Sequence, residues 1–196
     1  MAKARPIKGL DPQAPTGENA RMIAKVRLDD LYSWERYVDN PYDIFELHNM
    51  RIAAKRLRYT FEVFEDVLPE ASKPIHEELV KIQDELGTLH DTDVMIALLR
   101  LCLGSQGNAT TVDYAQSSAK AKQRKEKSLV APDLVADLLD PAVSPSTEER
   151  HGLELFLQNL EQLRDTQYDT FRQHWYALQA RDFKHEILDL LGSRYT

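Results

Sequence analysis

The sequence has little cysteine, no long apolar run and no alternating strand pattern, and each shortage excludes a class of protein. Cys102 is the only cysteine in 196 residues, so no internal disulfide can form and nothing indicates an oxidising compartment. No apolar stretch approaches the roughly 20 residues that a transmembrane helix needs. No segment alternates apolar and polar residues over a useful length, as a half-buried strand does. We therefore expect a soluble, all-α protein.

Positive charge is also in deficit. The chain has 25 Lys and Arg against 32 Asp and Glu, a formal net charge of −7. This balance argues against a protein that coats nucleic acid through a global positive field. Any anion site must then be a local patch on an acidic body. Residues 1–17 include basic residues but no apolar core of a signal peptide, so we expect a cytoplasmic protein with no membrane association.

The prolines and glycines divide the chain into helical segments. Residues 1–17 hold three prolines and two glycines, which predicts a flexible lead-in, and residues 18–196 are expected to form a single domain. The apolar periodicity predicts an antiparallel helical bundle. Its predicted helices are Glu18–Val38, Tyr42–Leu68, Ser72–Gly104, a Lys-rich Val112–Leu129, a short Leu134–Leu139, a long helix from about Glu149 to Leu178 that Ser146 or Thr147 caps, and Asp182–Leu191.

The second predicted helix has two adjacent stripes. The apolar seam recurs at steps of three and four and consists of Leu47, Met50, Ala54, Leu57, Phe61, Phe64 and Leu68. One residue later, a cationic stripe follows the same steps through His48, Arg51, Lys55 and Arg58, which we call the basic ridge. Ten residues of helix rise about 15 Å. A row of that length suits a linear polyanion better than a single small anion.

Two blocks of the sequence resemble the CHAD family, the conserved-histidine α-helical domains that bind inorganic polyphosphate. His48 to Tyr59 fits the pattern H-x-x-R-x-x-x-K-x-L-R-Y. Ile82 to Val94 resembles the family block L-G-x-x-R-D-x-D-V, with His90 where Arg is often found. From His48 to Val94 the two blocks span about a quarter of the chain, in the correct order. The resemblance implies polyphosphate binding without catalysis and without a cofactor, and location at polyphosphate granules.

The ridge has the chemistry that phosphate recognition needs. Arg51 and Arg58 each offer a planar fork to two phosphate oxygens, and Lys55 offers a mobile point charge between them. Tyr59 is expected to donate its hydroxyl. His48, at one end of the row, should gain charge as the pH falls through the usual histidine range near 6.5, which predicts tighter binding in mild acid.

Other residues have weaker claims to the site. Arg56 falls on another face of the helix, and Lys81 is expected to add to the basic surface. Asp91 and Asp93 are interpreted as residues that hold Arg51 or Lys55 in place; the alternative is that they cap the start of a helix. Whether His90 takes part in anion binding stays open.

Only one copy of the histidine-arginine pattern is present, whereas CHAD proteins typically have two helical halves. The chain therefore resembles one half of a CHAD domain. We expect a symmetric homodimer to restore the second ridge, because isologous pairs are the commonest assembly.

Three alternatives remain at this point. In the first, the basic face is simply a solvated surface paired with carboxylates such as Glu62 and Glu65. In the second, the chain is an HD-type metal-dependent phosphohydrolase that uses His48, His90–Asp91 and an acid such as Asp137. The third is a structural module that binds a partner protein through its long 148–178 helix. No Gly-rich phosphate loop and no nucleophile–base set is present, which argues against an enzyme.

Overall fold

The described residues fold into α-helices. The computed structural model of the protein describes residues 4–104, 129 and 145–192, and within them there are five α-helices and no strand. The all-α prediction is thereby confirmed. The helices are α1 (Thr16–Tyr32), α2 (Ile44–Val63), α3 (Lys73–Cys102), α4 (Thr147–Ala180) and α5 (Phe183–Gly192). Apart from Leu129, the two helices predicted between Val112 and Leu139 lie outside the described residues.

Two predicted helices were too long at their C-terminal ends. α1 stops at Tyr32, and a separate 3-10 turn, Glu35–Tyr37, covers half of the remainder. α2 stops at Val63 and is followed by a 3-10 turn at Glu65–Val67. Leu68 is extended, with φ −96° and ψ 152°. The residue before a proline is pushed out of helical space, and Pro69 follows directly.

Two later features agree with the sequence-based predictions. α3 runs without a break through Gly87, so this glycine does not end the helix. α4 begins at Thr147 behind a capping box, in which Ser146 Oγ and Ser146 N–H both donate to Glu149 Oε2. The backbone N–H of Glu149 points back to Ser146 Oγ at 3.4 Å. This reciprocal arrangement satisfies donors that the first turn of a helix would leave open.

The chain divides into two compact units. Residues 1–40, 45–87 and 169–196 form the first, and residues 41–44 and 88–168 form the second. The core of the first unit confirms the apolar seam of α2, because six of its seven members are at most 3% exposed: Leu47, Met50, Ala54, Leu57, Phe61 and Leu68. Phe64 is half-buried. Burying each large apolar side chain stabilises the fold by roughly 1.5–3 kcal/mol.

The second unit has a buried ion pair between α3 and α4. Arg164 Nε donates to Asp93 Oδ1 at 2.8 Å, and Arg164 also donates to the carbonyl oxygen of Pro41. Arg100 adds a second link through a 2.6 Å bond to Glu161. These contacts tie the two helices together within this unit.

None of the helices in the described part of the chain combines the length and the apolar character that spanning a membrane requires.

Candidate anion-binding site

The basic ridge lies at the border of the first unit's core. Lys55 is exposed, and His48, Arg51 and Arg58 are half-buried. Each follows a buried residue of the apolar seam by one position, and the buried atoms of the ridge include Nδ1 of His48 and the Nε atoms of Arg51 and Arg58. The helix therefore presents these four groups together along one side.

Arg51 has a polar atom that the surrounding described residues leave without a hydrogen bond. Its Nε atom is buried and has no hydrogen-bond acceptor among the described residues. The same atom lies 3.5 Å from the position that a Cβ on Gly87 would take, so the arginine passes close to the backbone of α3. A buried donor without an acceptor costs free energy. A ligand oxygen would remove that cost.

Tyr59 contributes the face of its ring. Arg58 Cζ lies 4.7 Å from the ring centroid and Lys55 Nζ lies 5.3 Å from it. Cation–π contacts at exposed sites are worth about 0.5–1 kcal/mol each. The ring therefore holds two cations of the ridge beside each other. Sequence reasoning assigned only the hydroxyl to the site, although the spacing of Lys55 and Tyr59 by four residues already indicated a side-chain contact.

Glu62 compensates one end of the ridge. Its Oε1 atom lies 3.3 Å from Arg58 Nε and 3.1 Å from His76 Nε2. Arg58 Nε nevertheless has no well-directed hydrogen bond, so the contact with Glu62 is electrostatic rather than a good donor–acceptor pair. The expectation that Glu62 pairs with the basic face is confirmed for Arg58. Among the described residues, Arg51 and Lys55 have no such carboxylate partner.

Arg56 and Lys81 have surroundings unlike those of the ridge. Arg56 is half-buried on another face of α2, where its carbonyl accepts a hydrogen bond from Thr60. Lys81 is exposed on α3, and its charge acts on both Glu78 and His174. Its neighbours therefore include acidic groups, which weakens its claim to an anion site.

Asp91 and Asp93 do not lie at the start of a helix. Both are in the interior of α3, in the second unit, so the helix-capping interpretation is wrong. Asp91 is exposed, whereas Asp93 is buried and bonded to Arg164. Burial raises the pKa of Asp93, and the Arg164 guanidinium opposes that rise. The role that the sequence suggested for these two residues, holding Arg51 or Lys55, stays a prediction.

His174 is a feature that sequence reasoning missed. Its Nδ1 lies 2.7 Å from Glu85 Oε2 and its Nε2 lies 2.9 Å from Glu78 Oε2. The hydrogen bond with Glu85 raises the pKa of His174, partial burial opposes this, and the bond with Glu78 adds to the rise. Arg181 also binds Glu78, at 3.1 Å. The two carboxylates belong to α3, roughly ninety positions away in sequence, so no local pattern signalled the contact.

The described residues include only part of the metal-ligand set suggested for the phosphohydrolase alternative. In the described ranges, no group of three or more His, Cys, Asp or Glu side chains is placed to hold a metal ion. Asp137, the acid suggested for that set, lies outside those ranges.

Residues 4–100 match the model of the CHAD domain family. The matched segment contains α1, α2 and nearly all of α3, together with the basic ridge and both sequence blocks. This segment is therefore similar to the CHAD domain family, as the resemblance of its two blocks indicated. The chain has no match among curated proteins and none among solved structures.

Proposed function

We propose that this protein binds inorganic polyphosphate through the basic ridge of α2, without catalysis, and that this binding directs it to polyphosphate granules in the cytoplasm. One observation carries the proposal. Arg51 and Lys55 have no carboxylate partner among the described residues, and a buried donor of Arg51 lacks an acceptor there. A buried donor without an acceptor costs free energy, and a phosphate oxygen of the ligand would offset that cost. The match of residues 4–100 to the CHAD domain family supports the same function.

The ridge suits the chemistry of polyphosphate. Polyphosphate carries about one negative charge per phosphate and has no base edges or sugar hydroxyls, so its recognition depends on the placement of cations and on counterion release, as for a nucleic-acid backbone. Arg51 and Arg58 supply bidentate donors, Lys55 supplies a mobile charge, and the Tyr59 ring holds Lys55 and Arg58 in place. His48 extends the row by one turn toward the start of α2.

A titration with inorganic polyphosphate at two salt concentrations tests this function. We expect micromolar or tighter binding that weakens steeply between about 50 and 200 mM salt, because bound phosphates release counterions. Absence of binding at low salt would refute the proposal.

Charge reversal within the ridge gives the matched comparison. The double variant Arg51→Glu/Arg58→Glu should lose polyphosphate binding. Lys8→Glu/Lys25→Glu makes the same total charge change at two exposed positions away from α2 and should retain most of it. Circular dichroism and thermal unfolding show whether each variant is folded. Equal losses in the two variants would mean that only net charge matters.

We also propose that a symmetric homodimer supplies a second copy of the ridge. The support is the single histidine-arginine pattern in the chain. Multi-angle light scattering at micromolar concentration should give the dimer mass. A monomer mass with intact polyphosphate binding would show that one ridge is sufficient.

A further inference from the structure

Two contacts define how α2 lies against α3 within the first unit. Arg51 meets α3 at Gly87, and Glu62 meets it at His76. The contacts are separated by eleven residues on each helix, 62 − 51 on α2 and 87 − 76 on α3, and they run in opposite directions. Eleven residues are close to three helical turns and about 16 Å of rise. The two helices are therefore antiparallel here, and both contacts fall on one face of each.

The same spacing identifies the part of α3 that lies beside the ridge. Positions 76, 80, 83 and 87 recur at steps of four, three and four, so they share the face that meets α2. Their residues are His76, Val80, Gln83 and Gly87, none of which is a carboxylate. On the facing stripe of α2, Glu62 follows Arg51, Lys55 and Arg58 at the same steps. Along these two stripes Glu62 is thus the single negative charge.

Glu62 joins the last ridge cation to a histidine of the other helix. One oxygen, Oε1, contacts both Arg58 Nε at 3.3 Å and His76 Nε2 at 3.1 Å. The Glu62 side chain is 40% exposed, and those of His76 and Arg58 are 33% and 18% exposed. The side chains of Glu62 and His76 are therefore within reach of a ligand from solvent, and that of Arg58 is partly exposed. The oxygen of Glu62 occupies a point where a phosphate oxygen would meet two donors at once.

We propose that His76 is a further polyanion-binding residue, contributed by α3, and that Glu62 occupies its place until a polyanion displaces it. This proposal rests on the proposed function and extends the same site. When a phosphate oxygen replaces Glu62 Oε1, it accepts from Arg58 Nε and His76 Nε2, and the row of donors continues from α2 onto α3. Glu62 then sets the affinity of that end of the site by competing with the ligand.

The central experiment compares two isosteric substitutions on polyphosphate binding. Glu62→Gln removes the competing charge, and we expect affinity for medium-chain inorganic polyphosphate to rise about twofold to fivefold, the range of a partly exposed ion pair. Glu77→Gln makes the same charge change at an exposed position directly beside His76 in sequence. It should change affinity less than about twofold, because exposed charges are strongly screened.

A second arm tests His76 directly. His76→Gln should weaken binding and should reduce the gain from Glu62→Gln in the double variant, whereas His151→Gln, at an exposed position on α4, should do neither. In NMR spectra of the wild-type protein, the imidazole resonances of His76 should shift in step with polyphosphate binding. Circular dichroism confirms folding of each variant.

The outcomes separate this proposal from the proposed function. If the wild-type protein binds polyphosphate but Glu62→Gln behaves as Glu77→Gln does, Glu62 is not a competitor and the inference fails while the function stands. A gain in Glu62→Gln that persists unchanged without His76 would overturn the role of the histidine. If Glu62→Gln binds polyphosphate and the wild-type protein does not, the inference is supported. If neither protein binds, both proposals fail.

Discussion

Arg164 Nε and Asp93 Oδ1 form a 2.8 Å hydrogen bond inside the second unit, with side chains only 3% and 4% exposed. Placing two opposite charges at such depth is costly unless they stay together. The pair joins α3 to α4 at positions 71 residues apart in sequence. It therefore serves the packing of this unit.

Removing one partner of this pair should destabilise the protein strongly. Asp93→Ala leaves a buried guanidinium without its carboxylate, which typically costs about 3–5 kcal/mol. The double variant Asp93→Ala/Arg164→Met should recover much of that loss, because the uncompensated charge is removed. Urea unfolding monitored by circular dichroism measures both. A single variant that loses less than about 1 kcal/mol would show that the pair contributes little.

The His174 contacts predict a pH dependence of stability. The hydrogen bond that His174 donates to Glu85 raises the pKa of His174 in the folded state, so the folded protein holds this proton more tightly than the unfolded chain. The resulting stabilisation is fully present below the ordinary histidine pKa of 6.5 and is lost as the pH rises through the raised folded value.

Urea unfolding between pH 6 and 9 checks this dependence. The wild-type free energy of unfolding should fall as the pH rises above about 6.5. His174→Gln should flatten that part of the profile, whereas His151→Gln, at an exposed position, should leave it unchanged. Parallel profiles for the wild type and His174→Gln would mean that the histidine does not gain its proton on folding.

The ring of Tyr59 should matter more for polyphosphate binding than its hydroxyl. Tyr59→Phe keeps the platform under Lys55 and Arg58, and we expect binding close to that of the wild type. Tyr59→Leu removes the platform and should weaken binding about twofold to fivefold, consistent with about 0.5–1 kcal/mol for an exposed cation–π contact. Isothermal titration of both variants decides the point. If Phe and Leu weaken binding equally, the hydroxyl is the contributing group.

Gly87 offers a graded test of the approach of Arg51 to α3. A methyl group there would lie 3.5 Å from Arg51 Nε, an ordinary van der Waals distance. Gly87→Ala should therefore stabilise the protein by roughly 0.5–1 kcal/mol, since glycine is a poor residue for a helix interior. Gly87→Leu should push the guanidinium aside and weaken polyphosphate binding. Thermal unfolding and titration report the two effects, and loss of stability in Gly87→Ala would contradict the geometry.

What the sequence predicted well lay within single helices. The apolar seam and the basic ridge are defined by steps of three and four along α2, and the burial of Leu57 beside the half-buried Arg58 follows directly from that spacing. The cap of α4 was readable for the same reason, because Ser146 and Glu149 are three residues apart.

What it predicted poorly depends on contacts between distant segments. Asp93 follows the family pattern, but its partner Arg164 has no motif around it. His174 looked ordinary because Glu78 and Glu85 are far away in sequence. The end of α2 was also placed too late, since apolar periodicity continues to Leu68 although the backbone leaves the helix at Phe64. Periodicity records which side chains are buried, and a short 3-10 turn can bury them equally well.

The equal spacing of the two α2–α3 contacts makes chain length in this hairpin as important as residue identity. Deleting one residue between Arg51 and Glu62, or between His76 and Gly87, would rotate the remainder of that helix by about 100° relative to its neighbour. One contact would survive and the other would be turned away, even with every charged group still encoded. Substitutions here tune the surface one position at a time, whereas a frame-preserving insertion or deletion of a single codon would dismantle the pairing as a whole.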